Sequence, residues 1–437
     1  MVRGHLLHVM SQTVNPARQL LEPSEEDTMP EDPDVVVVGG GIAGLAAATA
    51  AAQHGSKVVL VDAHHLGGRA QSDHRRGFTF NRGPHALYDR GAGRAALKGL
   101  GVTVSGSSAP LVGAKALRAG KLFSLPTSPT SLIRSDLLTP LDRVSFGRIL
   151  TSLPRKPTQA LVAMSAREWC DHVTRRPSVT GLLQALVRLA TYASDLDALS
   201  ADAAVAQLRL STWGVTYLDG GWQSIVDGLE HAARDSGVVI SSGTAVTQLE
   251  VSPKRVAVTA GGNEVIGRTV VLAAGSPSVA ARLLPGSIPE DLGPPVQATC
   301  VDYGLSTPPP ESFILGIDEP VYLSLHAPNA RLAPPGGAVL CAMAYGSAGT
   351  EAVERLDELA ALAGADRSTI RERRVLSSMT VAHAMPRPGS GLPGRPGISV
   401  LTTDNCFVAG DWVGEDGLLG DAALASGVAA GRAAALR

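Results

Sequence analysis

The sequence predicts an α/β fold, in which a discontinuous parallel-sheet domain carries an inserted α+β domain. Two observations at opposite ends of the 437 residues predict it. Near the start, Val35 to Val38 is a β-branched run without polar alternation, as a parallel strand buried on both faces requires. Gly39-x-Gly41-x-x-Gly44 follows, and then a small-residue helix to about Gln53. Near the end, Cys406 to Ala409 reads as another buried strand, stopping at Gly410-Asp411 before a glycine-rich loop and a second small-residue helix. If both ends feed one sheet, the middle of the chain supplies the insertions. A chain of this length accommodates two to three domains.

Composition narrows the class. With 44% hydrophobic and 18% charged residues the chain is expected to fold. Its 38 Lys and Arg against 40 Asp and Glu leave a net charge of −2, which provides no global field to hold nucleic acid. Cys170, Cys300, Cys341 and Cys406 are scattered without a C-x-x-C pair, so free thiols in a reducing compartment are expected, and no metal site. No charge-free apolar run reaches the ~18 residues of a bilayer span. The opening MVRGHLLHVM has too short an apolar core for a signal peptide. The expected location is cytoplasmic. Residues 1–33 read as a flexible polar tail, with Met29 as an alternative start. The G-x-S-x-G, H-E-x-x-H and Walker patterns are absent, which removes the common hydrolase and NTPase signatures.

The first unit explains its own glycines. Gly39 permits the tight turn, Gly41 lets backbone approach a pyrophosphate, and Gly44 packs the helix on the strand. Ile42 and Ala43 open the helix whose N-terminal N–H groups and dipole favour the phosphate charge. A second strand, Lys57 to Val61, ends in Asp62, eighteen residues after Gly44 and placed to accept from ribose hydroxyls. Strand, glycines, helix, strand and acid together read as a Rossmann-like dinucleotide-binding unit. Gly67 and Gly68 then allow another close backbone approach, and Arg69 can hydrogen-bond phosphate or the nearby cofactor chain.

The Gly67-Gly68-Arg69 run just after the acid resembles the FAD-binding signature of the flavin amine oxidase, protoporphyrinogen oxidase and phytoene (squalene–carotenoid) desaturase superfamily. That resemblance implies FAD and spans about residues 34–437. It implies that Asp411, after Gly410, binds the ribityl chain. It also implies that a helix starting at Asp421, Ala422 and Ala423 presents its N-terminus to the flavin pyrimidine, where it would stabilise negative charge. Phe80-Asn81-Arg82-Gly83-Pro84-His85 resembles the segment that runs past the isoalloxazine, with Asn81 where the family often has an acid. His85 becomes a weak catalytic candidate on that ground. Tyr217 to Gln223 resembles a Gly-Gly turn before a helix, Val246 stands where a residue packs on adenine, and Thr269 to Ala274 resembles the strand closing that layer.

The cofactor domain is therefore expected at 34–105, 212–290 and 396–437, and the substrate domain at 106–211 and 291–395. In the first insertion a hairpin turns at Ala119-Gly120, and helical patterning runs through Leu137, Leu138, Leu141, Val144, Ile149 and Leu150. These apolar helices read as ordinary core, with peripheral membrane contact as the alternative.

Flavin N5 accepts a hydride from a substrate held over the ring, while the protein supplies position, dryness and charge stabilisation. No second strand-linked G-x-G-x-x-G occurs, so reoxidation falls to dioxygen, a quinone or another acceptor. The amine oxidases of the superfamily commonly use a lysine near N5 and an aromatic cage. Here no lysine follows Lys254, and Leu419 stands where a cage tyrosine is expected. Gly410-Asp411-Trp412 with Gly417-Leu418, Leu283-Leu284-Pro285 and Ala384-Met385-Pro386 instead resemble the desaturases. The expected activity is an FAD-dependent dehydrogenase or desaturase acting on a mostly apolar small molecule. An amine or protoporphyrinogen-type oxidase and a flavin-dependent isomerase are the alternatives. Oligomeric state is not specified.

Overall fold

Five strands form one parallel sheet in the order Val239–Ser241, Val58–Val61, Val35–Val38, Thr269–Leu272 and Cys406–Val408. The computed structural model describes residues 32–437 other than 110, 157, 290, 347, 348 and 401, so the expected tail up to residue 31 and the start at Met29 lie outside the described residues. The central strand shows why valine repeats without alternation. Val35 and Val37 pack under the helices Ile42–Gln53, Gln223–Asp235 and Leu419–Ala435. Val36 and Val38 pack on the opposite face, against the antiparallel strands Val246–Ser252, Arg255–Ala260 and Asn263–Gly267. Both faces are covered, so every position is apolar.

The two small-residue helices touch along their backbones. A Cβ on Gly427 would lie 2.3 Å from the Ala43 carbonyl oxygen, and one on Gly431 would lie 2.1 Å from that of Ala47. Gly44 has the same constraint within the first turn, where a Cβ would fall 1.8 Å from the Gly39 carbonyl oxygen. The last helix is thus laid directly on the first one.

A seven-stranded sheet runs in the order Ile370–Ala382, Val296–Leu305, Ala338–Tyr345, Val321–Ala327, Phe313–Gly316, Lys115–Arg118 and Lys121–Ser124. Its last two strands are the expected hairpin, with Ala119 and Gly120 at φ +47° and +71°, the left-handed pair that tight hairpins favour. Phe313–Gly316 runs parallel to Lys115–Arg118, which joins the two insertions in one sheet. Helices Pro140–Ser152, Ala166–Val173, Pro177–Thr191 and Ala201–Ser211 pack on one face, and Thr350–Leu362 packs on the other. Capping boxes at Thr139/Asp142 and Ser165/Glu168 start two of these helices.

One expectation fails within this lobe. Leu137 and Leu138 precede the helix that begins at Pro140, and Leu141 and Val144 face outward instead of joining the core. The inner stripe is Asp142, Phe146, Ile149 and Leu153, with Asp142 held by Arg176 at 3.0 Å. Apolar residues occupy both sides of this helix, so periodicity alone chose the wrong one. Arg374 ties the lobe to the hairpin Ser72–Arg75 and Phe78–Asn81. It pairs with Asp302 at 2.5 Å and Asp73 at 2.6 Å, and donates to the Phe80 and Asn81 carbonyls. Among the described residues, no helix is long and apolar enough to cross a membrane.

The helix contact yields a direct test. Gly431→Leu should destabilise the fold by roughly 3 kcal/mol or more, since backbone cannot yield to a side chain there. Gly397→Ala, where a Cβ meets nothing within 4 Å, should change stability by less than about 0.5 kcal/mol. Urea unfolding of both variants measures the difference.

Candidate active site

A cavity of about 1240 Å³ runs along the carboxyl ends of the parallel strands, where open α/β sheets bind ligands. Gly39, Gly41, Ile42, Ala43, Asp62, Gly67, Gly68, Arg69, Gly83, Pro84, His85, Val246, Gly410, Asp411, Asp421 and Ala423 all line it. Of the residues expected to bind cofactor, Gly44 and Ala422 are absent from the lining; Gly44 is used by the turn described above.

Gly41 caps its helix without a side chain, and a Cβ built on it meets nothing within 4 Å. The first-turn N–H groups, which have no intrahelical partner, therefore open onto free space. Asp62 is fixed at its strand end by the backbone N–H groups of Gly40 and His64, the latter at 2.6 Å. Asn81 is buried and bonds across to the next turn. Its Oδ1 accepts from the Trp222 N–H and the Ser72 hydroxyl, both at 2.8 Å, which ties the Gly220-Gly221 turn to the Gly83–His85 segment.

Arg69 lines the cavity and is held there by protein partners. It donates to Asp411 at 2.9 and 3.1 Å and to the Val381 carbonyl at 2.9 Å. Asp411 also accepts the His383 N–H at 2.9 Å, and its other oxygen lies 2.8 Å from His383 Nδ1. Burial opposes the charge on Asp411, but Arg69 and His383 outweigh it and hold the carboxyl well below the usual range. Nothing in the local sequence marked His383, which reaches the site from the far end of a long strand in the second insertion.

The terminal helix starts at Leu419, two residues earlier than expected. Ala422 is consequently not a free donor: its N–H bonds the Leu418 carbonyl at 3.4 Å. Leu418, Leu419 and Gly420 meet the cavity instead. Leu419 does so at φ +58°, a left-handed conformation costing a branched side chain roughly 1–2 kcal/mol. Asp421 is buried, with one oxygen accepting the Gly93 N–H at 2.9 Å and the other without a partner, so its carboxyl is pushed up to about 6 by burial. It does not turn to solvent.

Beyond this end the walls are aromatic. Tyr88, Tyr192, Tyr217 and Tyr322, four of the chain's six tyrosines, line the cavity with Trp222, Phe313, Met343 and Met379. His326 stacks on Tyr217 with centroids 4.1 Å apart, and its Nε2 lies 3.0 Å from the Ser324 hydroxyl. Burial lowers His85 to about 4 and His326 to about 3, so both imidazoles are neutral at pH 7. His85 Nδ1 donates to the Gly83 carbonyl at 2.9 Å. Burial likewise pushes Tyr88 and Tyr217 up to about 12. The tyrosines lie far apart in sequence, so no local motif announces them.

The sequence profile described as FAD dependent oxidoreductase matches residues 34–436. The chain belongs to the FAD-dependent oxidoreductase family. No curated protein matches it by sequence. In fold it is similar to an oxidoreductase from Methanosarcina mazei, at 16% identity and TM-score 0.70, covering 91% of this chain and 99% of that one. A putrescine oxidase variant is similar at 15% identity and TM-score 0.70, covering 93% and 100%. Cyclohexylamine oxidase from Brevibacterium oxydans IH-35A is similar at 18% identity and TM-score 0.67, covering 93% and 98%.

The residues of this flavoenzyme fit its dinucleotide. Gly41 leaves the room that a phosphate needs, and the buried polar atoms Asp421 Oδ2 and Trp222 Nε1 lack protein partners beside the cavity. Two predictions follow from this geometry. Gly41→Val should lose FAD while the apoprotein melts as wild type does, because only the ligand competes for that space; absorbance and melting curves check both. Asp421 titrates higher in the fold, about 6, than its ordinary 3.8, so the stability this carboxyl contributes is fully present below pH 4 and is lost as the pH rises through 6. In Asp421→Asn that decline should vanish, and the variant should gain up to about 3 kcal/mol on wild type between pH 4 and 7. Denaturant unfolding across that range measures it.

Proposed function

We propose that this FAD-dependent oxidoreductase is a dehydrogenase or desaturase acting on a mostly apolar small molecule. The observation that carries the reading is the aromatic end of the cavity, where the tyrosines and both histidines are neutral and Leu186, Leu189 and Met343 add aliphatic wall. Such a wall takes up hydrocarbon and offers no fixed charge to a polar substrate. When bound, FAD supplies the hydride acceptor. The cofactor stretches 34–105, 212–290 and 396–437 hold it, and the insertions 106–211 and 291–395 bring the substrate. Gly39, Gly41, Ile42 and Ala43 bind the pyrophosphate, Asp62 the ribose, and Val246 the adenine. Asp411, Gly67 and Gly68 flank the linking chain.

Gly83, Pro84 and His85 form the wall beside the reacting carbon. With Nδ1–H given to the Gly83 carbonyl, neutral His85 keeps Nε2 free as a proton acceptor. Reoxidation by dioxygen, a quinone or another acceptor completes the cycle. Four buried free thiols suit a reducing cytoplasm, and an apolar substrate is most available at a membrane surface.

A second reading, an amine oxidase, is favoured by one observation: Tyr192, Tyr217 and Tyr322 supply aromatic walls although Leu419 does not. Against it, no lysine lines the cavity among the described residues. Anaerobic titration separates the readings. Polyenes should bleach the oxidised flavin, while amines and porphyrinogens should leave it yellow. Bleaching by amines alone would transfer the assignment to the second reading, and polyene turnover without bleaching would mark an isomerase.

A further inference from the structure

Among the described residues, the outward stripe of helix Pro140–Ser152 has no partner. Leu141 and Val144 are 66% and 54% exposed, and Arg148 follows them at helical spacing. The stripe continues into neighbouring segments. Arg143 donates to the Ile133 carbonyl, which places Ile133, 70% exposed, beside the helix. The short helix containing Ile133 begins after Thr127, whose hydroxyl donates to the Leu111 carbonyl at 3.2 Å. Val112, next to Leu111, is 91% exposed.

Leu111 is also the point where this surface meets the cavity, since it lines the mouth together with Ser108, Ala109 and Gly214. The Ala109 N–H donates to the Val215 carbonyl at 3.0 Å, which brings half-exposed Trp213 to the same rim. Exposed apolar residues thus sit on successive hydrogen-bonded segments between the rim and the helix.

Charge gives this face a direction. From 111 to 156 there are eight Lys and Arg, of which Lys115 is paired with Glu311, against only Asp136 and Asp142, in a chain whose total charge is −2. Asp142 is buried against Arg176, so it does not offset the surface. Arg134, Arg148, Arg155 and Lys156 are exposed on or beside the apolar stripe. Apolar side chains ringed by cations match an anionic bilayer, where the former enter the acyl boundary and the latter meet headgroup phosphate. We propose that this face docks the enzyme on an anionic lipid surface, with the cavity mouth at the bilayer. The purpose of the docking rests on the apolar-substrate reading, since such a substrate would pass from lipid into the cavity without crossing water.

Cosedimentation of the FAD-loaded full chain with vesicles tests it without any substrate. Vesicles of phosphatidylglycerol and phosphatidylcholine in equal parts should bind the wild type, and added salt should weaken that binding. Phosphatidylcholine alone should bind at least about tenfold less. The double variant Leu141→Glu/Val144→Glu should bind the anionic vesicles at least about tenfold more weakly, with flavin absorbance and melting unchanged. Equal binding by variant and wild type, or binding to neither vesicle, overturns the proposal. So does light scattering that finds a wild-type dimer split by the double variant, which would assign the face to a second copy of the chain. Flavin bleaching by polyenes is read separately in detergent, so either result can fail while the other stands.

Discussion

The backbone contact between the first and last helices is the constraint on which the site depends. Ala43 and Ala47 present carbonyls to Gly427 and Gly431 at a separation that excludes any side chain. That closeness sets the end of the chain over its beginning, so Gly410-Asp411 emerges beside Gly67, Gly68 and Arg69. A wider helix pair would move one half of the cofactor cleft away from the other. The alanine and glycine richness of both helices follows from this geometry, and it outweighs the helix propensity lost at each glycine.

Charge is distributed just as unevenly. At the cofactor end, Asp411 stays ionised because Arg69 and His383 surround it. At the aromatic end, desolvation keeps both histidines and the tyrosines neutral. One cavity therefore joins an end that holds an ionised carboxylate to an end whose histidines and tyrosines are neutral. Asp421 lies between them, with its unpartnered oxygen beside the start of the last helix.

The lobe built from 106–211 and 291–395 contributes residues to the cavity wall. His383 and Val381 end its longest strand at the Arg69–Asp411 pair. Arg374, earlier on that strand, holds the hairpin from which Gly83, Pro84 and His85 descend. The Arg69–Asp411 pair and the hairpin leading to Gly83, Pro84 and His85 are thus braced by the same strand.

The sequence alone determined the strand–glycine–helix–strand unit at the head of the parallel sheet, because its geometry is local. Glycines at Gly39, Gly41 and Gly44 and the acid at Asp62 are required by a turn, a close approach and a strand end within thirty residues of one another. The Gly410-Asp411 strand end was legible for the same reason, and so was the Ala119-Gly120 hairpin. Tertiary structure decided the partners. Arg69 reads as a ligand for phosphate or the nearby cofactor chain, and only the fold shows its bonds to His383 and Asp411 from more than three hundred residues away. Ala422 reads as a helix start until the left-handed turn at Leu419 moves the first free N–H groups upstream. Tyr192, Tyr217 and Tyr322 gather in one cavity wall only because distant elements converge there. Leu141 and Val144 show the limit of periodicity: a helix apolar on two sides does not say which one the core will take, and only packing against the lobe settles it.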